Sequence, residues 1–369
     1  VKYREGKTSP WTLVFLAVFS LLLYFLAERS QKPQRQPNFY TKLKAAQISV
    51  LAQEAIKEEV RERGLEIDPE NDPTLTGLIG PQYTLITTDR GELRSKLLST
   101  NPNFAAAVVD MFSKAGLKEG EVVAICMTGS FPSLNISCLA ACKAMGLEPI
   151  VITSVGASTW GANRSELTWL DMETILNQRG ILPCKSIAAS LGGGNDRGRG
   201  LSPEGRELIK RAVERNKVEL VAEETLEGSV RRRIEIFDRA AGEKEIAAFV
   251  NIGGGLASVG STQNRKLIPT GLTRRLGQRN FPARGVINVL AERGIPVIHL
   301  VRIGELAEKY DLPGSFTLSP EIGEGSLFFR ERYSISTTTI YTAILLVVVF
   351  VFIRIDVKHY LVGRRRRSL

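Results

Sequence analysis

Histidine is nearly missing. The 369 residues hold two, His299 and His359, so an imidazole base within the body of the chain has one candidate. The four cysteines, Cys126, Cys138, Cys142 and Cys184, form no C-x-x-C and take no Cys/His spacing of a zinc site, so no metal is expected. Cys126 lies in the apolar run "EVVAICMTG". Cys138 and Cys142 stand at i, i+4 in "LNISCLAACKAMG", which reads as small buried residues on one helix face rather than a disulfide framework. Aromatic residues make up 7% and do not interleave with the basic runs, which removes the nucleic-acid partner that a net charge of +10 first suggests.

A phosphate-loop lysine is missing too. In "NIGGGLASVGST", Asn251 to Thr262, the frame Gly255-x-x-x-x-Gly260-Ser261-Thr262 has serine where lysine would reach the terminal phosphates. The dinucleotide frame Gly253-x-Gly255-x-x-Ser258 ends in serine and opens no clear helix. No nucleotide or other cofactor is expected.

Net charge is small in the middle, where basic and acidic residues nearly balance, and is concentrated at the ends. Residues 1–27 carry a net +2 and residues 335–369 a net +5, leaving +3 of the +10 for everything between. These basic ends flank two uncharged runs, Trp11 to Ala27, 17 residues long, and Ile335 to Ile353, and each is long enough to cross a bilayer. The first reads as an uncleaved anchor rather than a signal peptide, because Phe25 is bulky where cleavage wants a small residue. Arg364 to Arg367 mark the C-terminus as cytoplasmic, and two spans then return the N-terminus, with Lys2, Arg4 and Lys7, to the same side. Arg29, Lys32, Arg35, Lys42 and Lys44 oppose this orientation, but long domains translocate largely regardless of charge. The expected layout is a cytoplasmic N-terminus (1–10), a first span (11–27), a linker (28–38), an extracytoplasmic α/β domain of one or two lobes (39–334), a second span (335–353) and a basic tail (354–369). The tail is read as a lock on anionic lipid headgroups.

Between the spans, apolar runs alternate with helical patterns. An amphipathic helix is predicted over Phe39 to Arg63, with Leu43, Ala46, Val50, Leu51, Ala55 and Val60 tracing one face. Strands are predicted at "YTLITT", "EVVAICMTG", "EPIVITSV", "SIAASLGGG", "VELVAEE", "IAAFVNIG" and "IPVIHL". The intervening helices run over Asn101–Ala115 (Asn101 as cap), Leu134–Met145, Glu166–Arg179, Pro203–Asn216 (Ser202 as cap), Ser229–Ala241 and Ala283–Arg293. Such alternation argues for an α/β fold with a doubly wound, mostly parallel sheet.

Ligands of open parallel sheets bind beyond the carboxyl ends of the strands. Four unusual loops follow predicted strands: "TGSFPS", "SVGASTWGANRS", "LGGGNDRGRG" and "NIGGGLASVGSTQNRK". Glycine lets backbone amides approach a ligand closely, and Ser, Thr and Asn add neutral donors, a combination suited to an oxyanion. The candidate ligand residues are Thr128, Gly129, Ser154, Ser158, Gly193, Gly194, Asn195, Arg197, Gly253, Gly254, Gly255 and Ser258. Arg199, Arg274, Arg275, Arg279 and Arg284 lie in or beside the same segments, whereas "RRR" at Arg231 to Arg233 reads as a solvated face.

For catalysis Ser130 is the candidate nucleophile, just past a strand, although "TGSFP" lacks the second glycine of a nucleophile elbow. Capping the next helix is the competing role. His299, ending its strand, and Asp196 are the candidate base and orienting acid. Lys143 and Lys185 have no spacing to support a Ser–Lys pair.

Taken with "TGSFPSLNI", "SVGASTWGAN", "SLGGGNDRGRGLS" and "NIGGGLASVG", the layout of anchor, α/β middle, second span and basic tail resembles the poly-gamma-glutamate system protein family, accessory membrane proteins of bacterial capsule synthesis. The resemblance implies a role beside the ATP-dependent ligase and its small membrane subunit, in making, exporting or anchoring an anionic γ-linked glutamate polymer. It carries over no catalytic residue. An extracytoplasmic serine hydrolase or transferase, and a scaffold for membrane partners, are the alternative expectations.

Overall fold

The computed structural model describes residues 10–277, 280–312 and 321–354. Lys2, Arg4, Lys7, Arg279, His359 and the Arg364 to Arg367 run lie outside them. Two compact units result, one from the two ends of the chain (to Gln36 and from Phe329), the other from Pro37–Phe328.

The terminal unit contains helices Pro10–Glu28 and Ile335–Arg354, both long and apolar enough to cross a membrane. They pack on each other, with the Phe15 and Phe352 rings 5.3 Å apart. Most of their large apolar side chains, Trp11, Leu21, Leu346 and Phe350 among them, face outward. That is the reverse of a soluble core helix and suits lipid as solvent. The expected linker holds a strand, Lys32–Arg35, paired antiparallel with Phe329–Arg332 so that Lys32 faces Arg332 and Arg35 faces Phe329. All four residues of "KPQR" are exposed, so no alternation of polar and apolar residues announces the strand.

The Pro37–Phe328 unit is an α/β fold around a seven-stranded sheet. Its strands are β1 (Val122–Thr128), β2 (Glu148–Ser154), β3 (Ala188–Ser190), β4 (Glu219–Leu220), β5 (Ile246–Ile252), β6 (Gly271–Thr273) and β7 (Val297–Leu300). Their spatial order is β6-β7-β5-β1-β2-β3-β4, parallel throughout except for the antiparallel edge strand β6. The chain therefore winds outward from β1 through β2, β3 and β4, then returns to the other side of β1 for β5 and β7. That reversal between β1 and β5 is the topological switch point, where open α/β sheets leave a crevice.

Helices cover both faces, so β1 is buried at all seven positions and reads as an unbroken apolar run. Side-chain alternation divides β3 between two cores. Ala188 joins the cluster with Phe237, Val286 and Leu290, and Ala189 the cluster with Leu170, Ile209 and Val213.

Several element boundaries differ from expectation. Helix Phe39–Glu62 buries Ala46, Ala55 and Val60 of the expected face, but Leu51 is exposed, and Ala45, Ser49, Ala52 and Ile56 are buried as well. The small stripe wins because it packs on helix Pro132–Met145, itself lined by Ser133, Ser137, Ala140 and Ala141. Of "YTLITT" only Thr87 and Thr88 are strand, within Thr87–Asp89, which pairs with Ala157–Ser158 outside the main sheet. Asn101 does not cap a helix: its side chain accepts from the Asn103 N–H at 3.0 Å within a turn, and the helix starts at Phe104. Ser202 does cap, accepting from the Gly205 N–H at 3.0 Å. "VELVAEE" contributes two residues of strand. Helix Leu93–Ser99, strand β6 and helix Ile303–Lys309 were not expected, and a single turn, Leu256–Val259, follows the glycines of "NIGGG".

A cationic cleft at the switch point

A cleft of about 650 Å³ opens where β1, β2, β3, β5 and β7 end. Of the residues expected to line it, Thr128, Ser130, Ser154, Ser158, Gly193, Gly194, Gly254 and Gly255 do so. The loop after β5 reaches this position because residue 253 is glycine. Its φ is +85°, and a Cβ there would stand 2.4 Å from Thr128 Oγ1. Gly254 lies under Arg265, whose Nη1 would be 2.7 Å from an added Cβ. Gly129 is packed beneath the Val155 carbonyl and Ser258 is buried, while Asn195 and Arg197 line a separate depression.

The cleft is basic. Arg90, Lys96, Arg199, Arg265, Lys266 and Arg302 line it against two carboxylates, Asp89 and Glu92. Arg302 pairs with Glu305 at 3.3 Å. Among the described residues Arg90, Arg199, Arg265 and Lys266 have no carboxylate partner. Arg274 and Arg284 are engaged elsewhere, with the Lys114 carbonyl and Glu292.

The three candidate catalytic residues do not converge. His299 is fully buried in β7, outside the cleft lining. Its Nδ1 sits 2.9 Å from Asn251 Nδ2, a donor, so Nδ1 accepts and the ring proton is on Nε2. Burial, with Arg302 adding to it, pushes the imidazole down to about 3, and it stays neutral at physiological pH.

Asp196 is buried in a polar knot. Its Oδ1 accepts from Ser190 Oγ at 2.6 Å and Ser154 Oγ at 3.2 Å, and its Oδ2 from Ser229 Oγ at 2.5 Å and Arg233 Nη2 at 2.9 Å. Arg233 is thus no part of a solvated face. Of the "RRR" run it alone turns inward, its side chain 1% exposed, with Nη1 3.8 Å from Cys126 Sγ. Burial works against the Arg233 charge, but Asp196 beside it carries the guanidinium above its ordinary pKa. The Ser154 hydroxyl is held by this knot as well. The cysteines are free thiols, three buried and Cys184 half-buried.

Ser130 neither caps the following helix, whose N-cap position is Phe131, nor meets a base. Its hydroxyl accepts the Ser158 N–H at 3.0 Å. Lys143 and Lys185 bond to backbone carbonyls of Gly180, Ile181 and Asn216. The lysine that does reach the cleft serines is Lys96, on helix Leu93–Ser99. Its Nζ is 2.8 Å from Ser158 Oγ, donates to the Ser130 carbonyl and lies 4.1 Å from the centre of the Phe131 ring. The side chain is 1% exposed, and burial pushes the amine down to about 7. Gly91 makes room for it, since a Cβ there would lie 2.9 Å from Ser158 Oγ and 3.0 Å from Lys96 Cε.

The helix that carries Lys96 lies in "RGELRSKLLST", outside the expected elements, and its available signal is Leu93, Leu97 and Leu98 at helical spacing behind a glycine. Compared with protein-family models, with curated proteins and with solved structures, the chain gives no match.

Proposed function

We propose that this chain is a membrane-anchored accessory component of a bacterial poly-γ-glutamate system, and that its switch-point cleft holds the carboxylate-bearing polymer. The observation that carries this reading is the convergence of Arg90, Arg199, Arg265 and Lys266, from three separate segments of the chain, on one opening with few opposing charges. Cations lining one cleft raise the local concentration of an anionic ligand, and guanidinium forks match carboxylates. A γ-linked glutamate chain offers one free carboxylate per residue, so neighbouring side chains of the cleft would engage successive carboxylates.

The two apolar helices support attachment to the bilayer. In this reading both termini are cytoplasmic, the α/β unit is extracytoplasmic, and the ligase and its small membrane subunit are the partners. Ligation itself is not assigned to this chain, because neither glycine frame of "NIGGGLASVGST" supplies a phosphate-loop lysine.

Removal of the protein from its host tests the proposal. The amount, length or surface attachment of the polymer is expected to change. A strain unchanged in all three contradicts the proposal.

A further inference from the structure

We propose that Ser158 and Lys96 form a nucleophile–base pair that transfers an acyl group from an amide whose acyl portion carries a carboxylate. The substrate class rests on the anionic-polymer reading above; the pair itself rests on its geometry and on the burial of Lys96.

Three directions around Lys96 Nζ are occupied by the Ser130 carbonyl, the face of Phe131 and, at 2.8 Å, Ser158 Oγ. A neutral amine has two N–H donors and one lone pair. The carbonyl takes one N–H, the ring face the other, and the lone pair is left for the Ser158 O–H. The charged groups of its own segment are Asp89, Arg90 and Glu92, and those of the helix packed against that segment, with its N-cap, are Arg302, Glu305, Glu308 and Lys309. None of them forms an ion pair with Lys96 among the described residues. A lysine buried without a counter-charge is the condition under which its amine serves as a general base near neutral pH.

Ser130 does not compete for the role. Its hydroxyl accepts the Ser158 N–H and its carbonyl accepts from Lys96, so it positions both partners. Ser158 lines the cleft, as do the cations that would hold the carboxylate.

In the forward step Ser158 Oγ forms a bond to the amide carbonyl carbon, its proton passes to Lys96 Nζ, and the carbonyl π pair moves to oxygen. Collapse of the tetrahedral species breaks the C–N bond, and the departing nitrogen takes the proton from Lys96 and leaves as an amine. The Ser158 ester is then attacked by water, or by an acceptor amine, which loses its proton to Lys96. Breaking the ester bond returns that proton to Ser158. Water as acceptor gives hydrolysis, and an amine gives chain transfer.

The test uses the full-length protein in lipid nanodiscs, treated with a fluorophosphonate, which bears no carboxylate and so probes the nucleophile independently of polymer binding. The expected result is one adduct, located on Ser158 by peptide mass spectrometry. Its rate of formation rises with pH through about 7, as Lys96 loses its proton. Ser158→Ala abolishes the adduct, and Lys96→Met slows it by about 100-fold or more.

No adduct on Ser158, an adduct on Ser130 instead, or an undiminished rate in a folded Lys96→Met protein overturns the proposal. Should Lys96→Met not fold, the pH profile of the unaltered protein decides, a flat profile across pH 6–8 counting against the pair. Calorimetric titration with γ-glutamate oligomers is run in parallel on the unaltered protein and on Ser158→Ala. Labelling without oligomer binding removes the polymer reading and keeps the pair; binding without labelling does the reverse.

Discussion

Arg233 Nη2 lies 2.9 Å from Asp196 Oδ2, with both side chains 1% exposed. This buried ion pair joins helix Leu226–Ala241 to the glycine-rich loop after β3. It also bonds the hydroxyls of Ser154 and Ser190 at the ends of β2 and β3. It underlies the cleft wall and lies outside the cleft lining.

Removing one partner leaves an uncompensated charge in the interior. Arg233→Ala is expected to cost about 3–5 kcal/mol, read as a fall in the unfolding midpoint. Replacing both partners, Arg233→Met with Asp196→Asn, is expected to recover a large part of that loss. If the single and double variants unfold alike, the pair is not the source of the effect.

How far the sequence led differs between fold and site. Six of the seven sheet strands were legible, β6 being the exception, because strands buried on both faces write themselves as apolar runs, as β1 and β5 do. The glycine-rich strand ends led to Thr128, Ser154, Gly193, Gly254 and Gly255 at the cleft. What stayed hidden depends on contacts distant in the chain. Arg233 resembles its neighbours Arg231 and Arg232 until Asp196 is seen beside it. Lys96 sits in a polar stretch, and only folding brings Ser158 to it, 62 positions away. Short exposed strands such as Lys32–Arg35 carry no alternation to read.

Glu173 introduces a pH dependence of stability. Burial raises its carboxyl from 4.5 to about 8, although the Ser186 N–H donates to it at 2.8 Å. Between these values the folded state holds a proton that the unfolded state has lost, so stability falls as pH rises from 4.5 to about 8. Glu173→Gln is expected to flatten that decline. Denaturation curves collected across the window check it, and an unchanged slope would exclude Glu173 as the source.

Lys96 acts in the opposite sense. Its folded value of about 7 lies below the ordinary 10.5, so between them the unfolded state binds the extra proton and stability rises with pH. Lys96→Met is expected to remove this rise, with its largest gain in stability at and below pH 7. Unfolding midpoints at pH 6 and pH 10 would separate this from a uniform packing effect.

The orientation of the α/β unit is open to direct test. A reporter inserted at an exposed loop such as Gly242 is expected to report an extracytoplasmic environment, with both termini in the cytoplasm. A cytoplasmic signal would contradict the proposed topology and return nucleotide ligands to consideration for the cleft.

The central claim is that the cleft binds a polycarboxylate through Arg199, Arg265 and their neighbours. The most direct measurement is calorimetric titration of the full-length protein in nanodiscs with γ-linked glutamate oligomers of defined length. It compares the unaltered chain with Arg199→Gln combined with Arg265→Gln. The account predicts saturable binding that weakens with added salt and drops at least about tenfold in the double variant, the equivalent of about 1.4 kcal/mol. Absence of binding, or equal affinity in the two proteins, contradicts it.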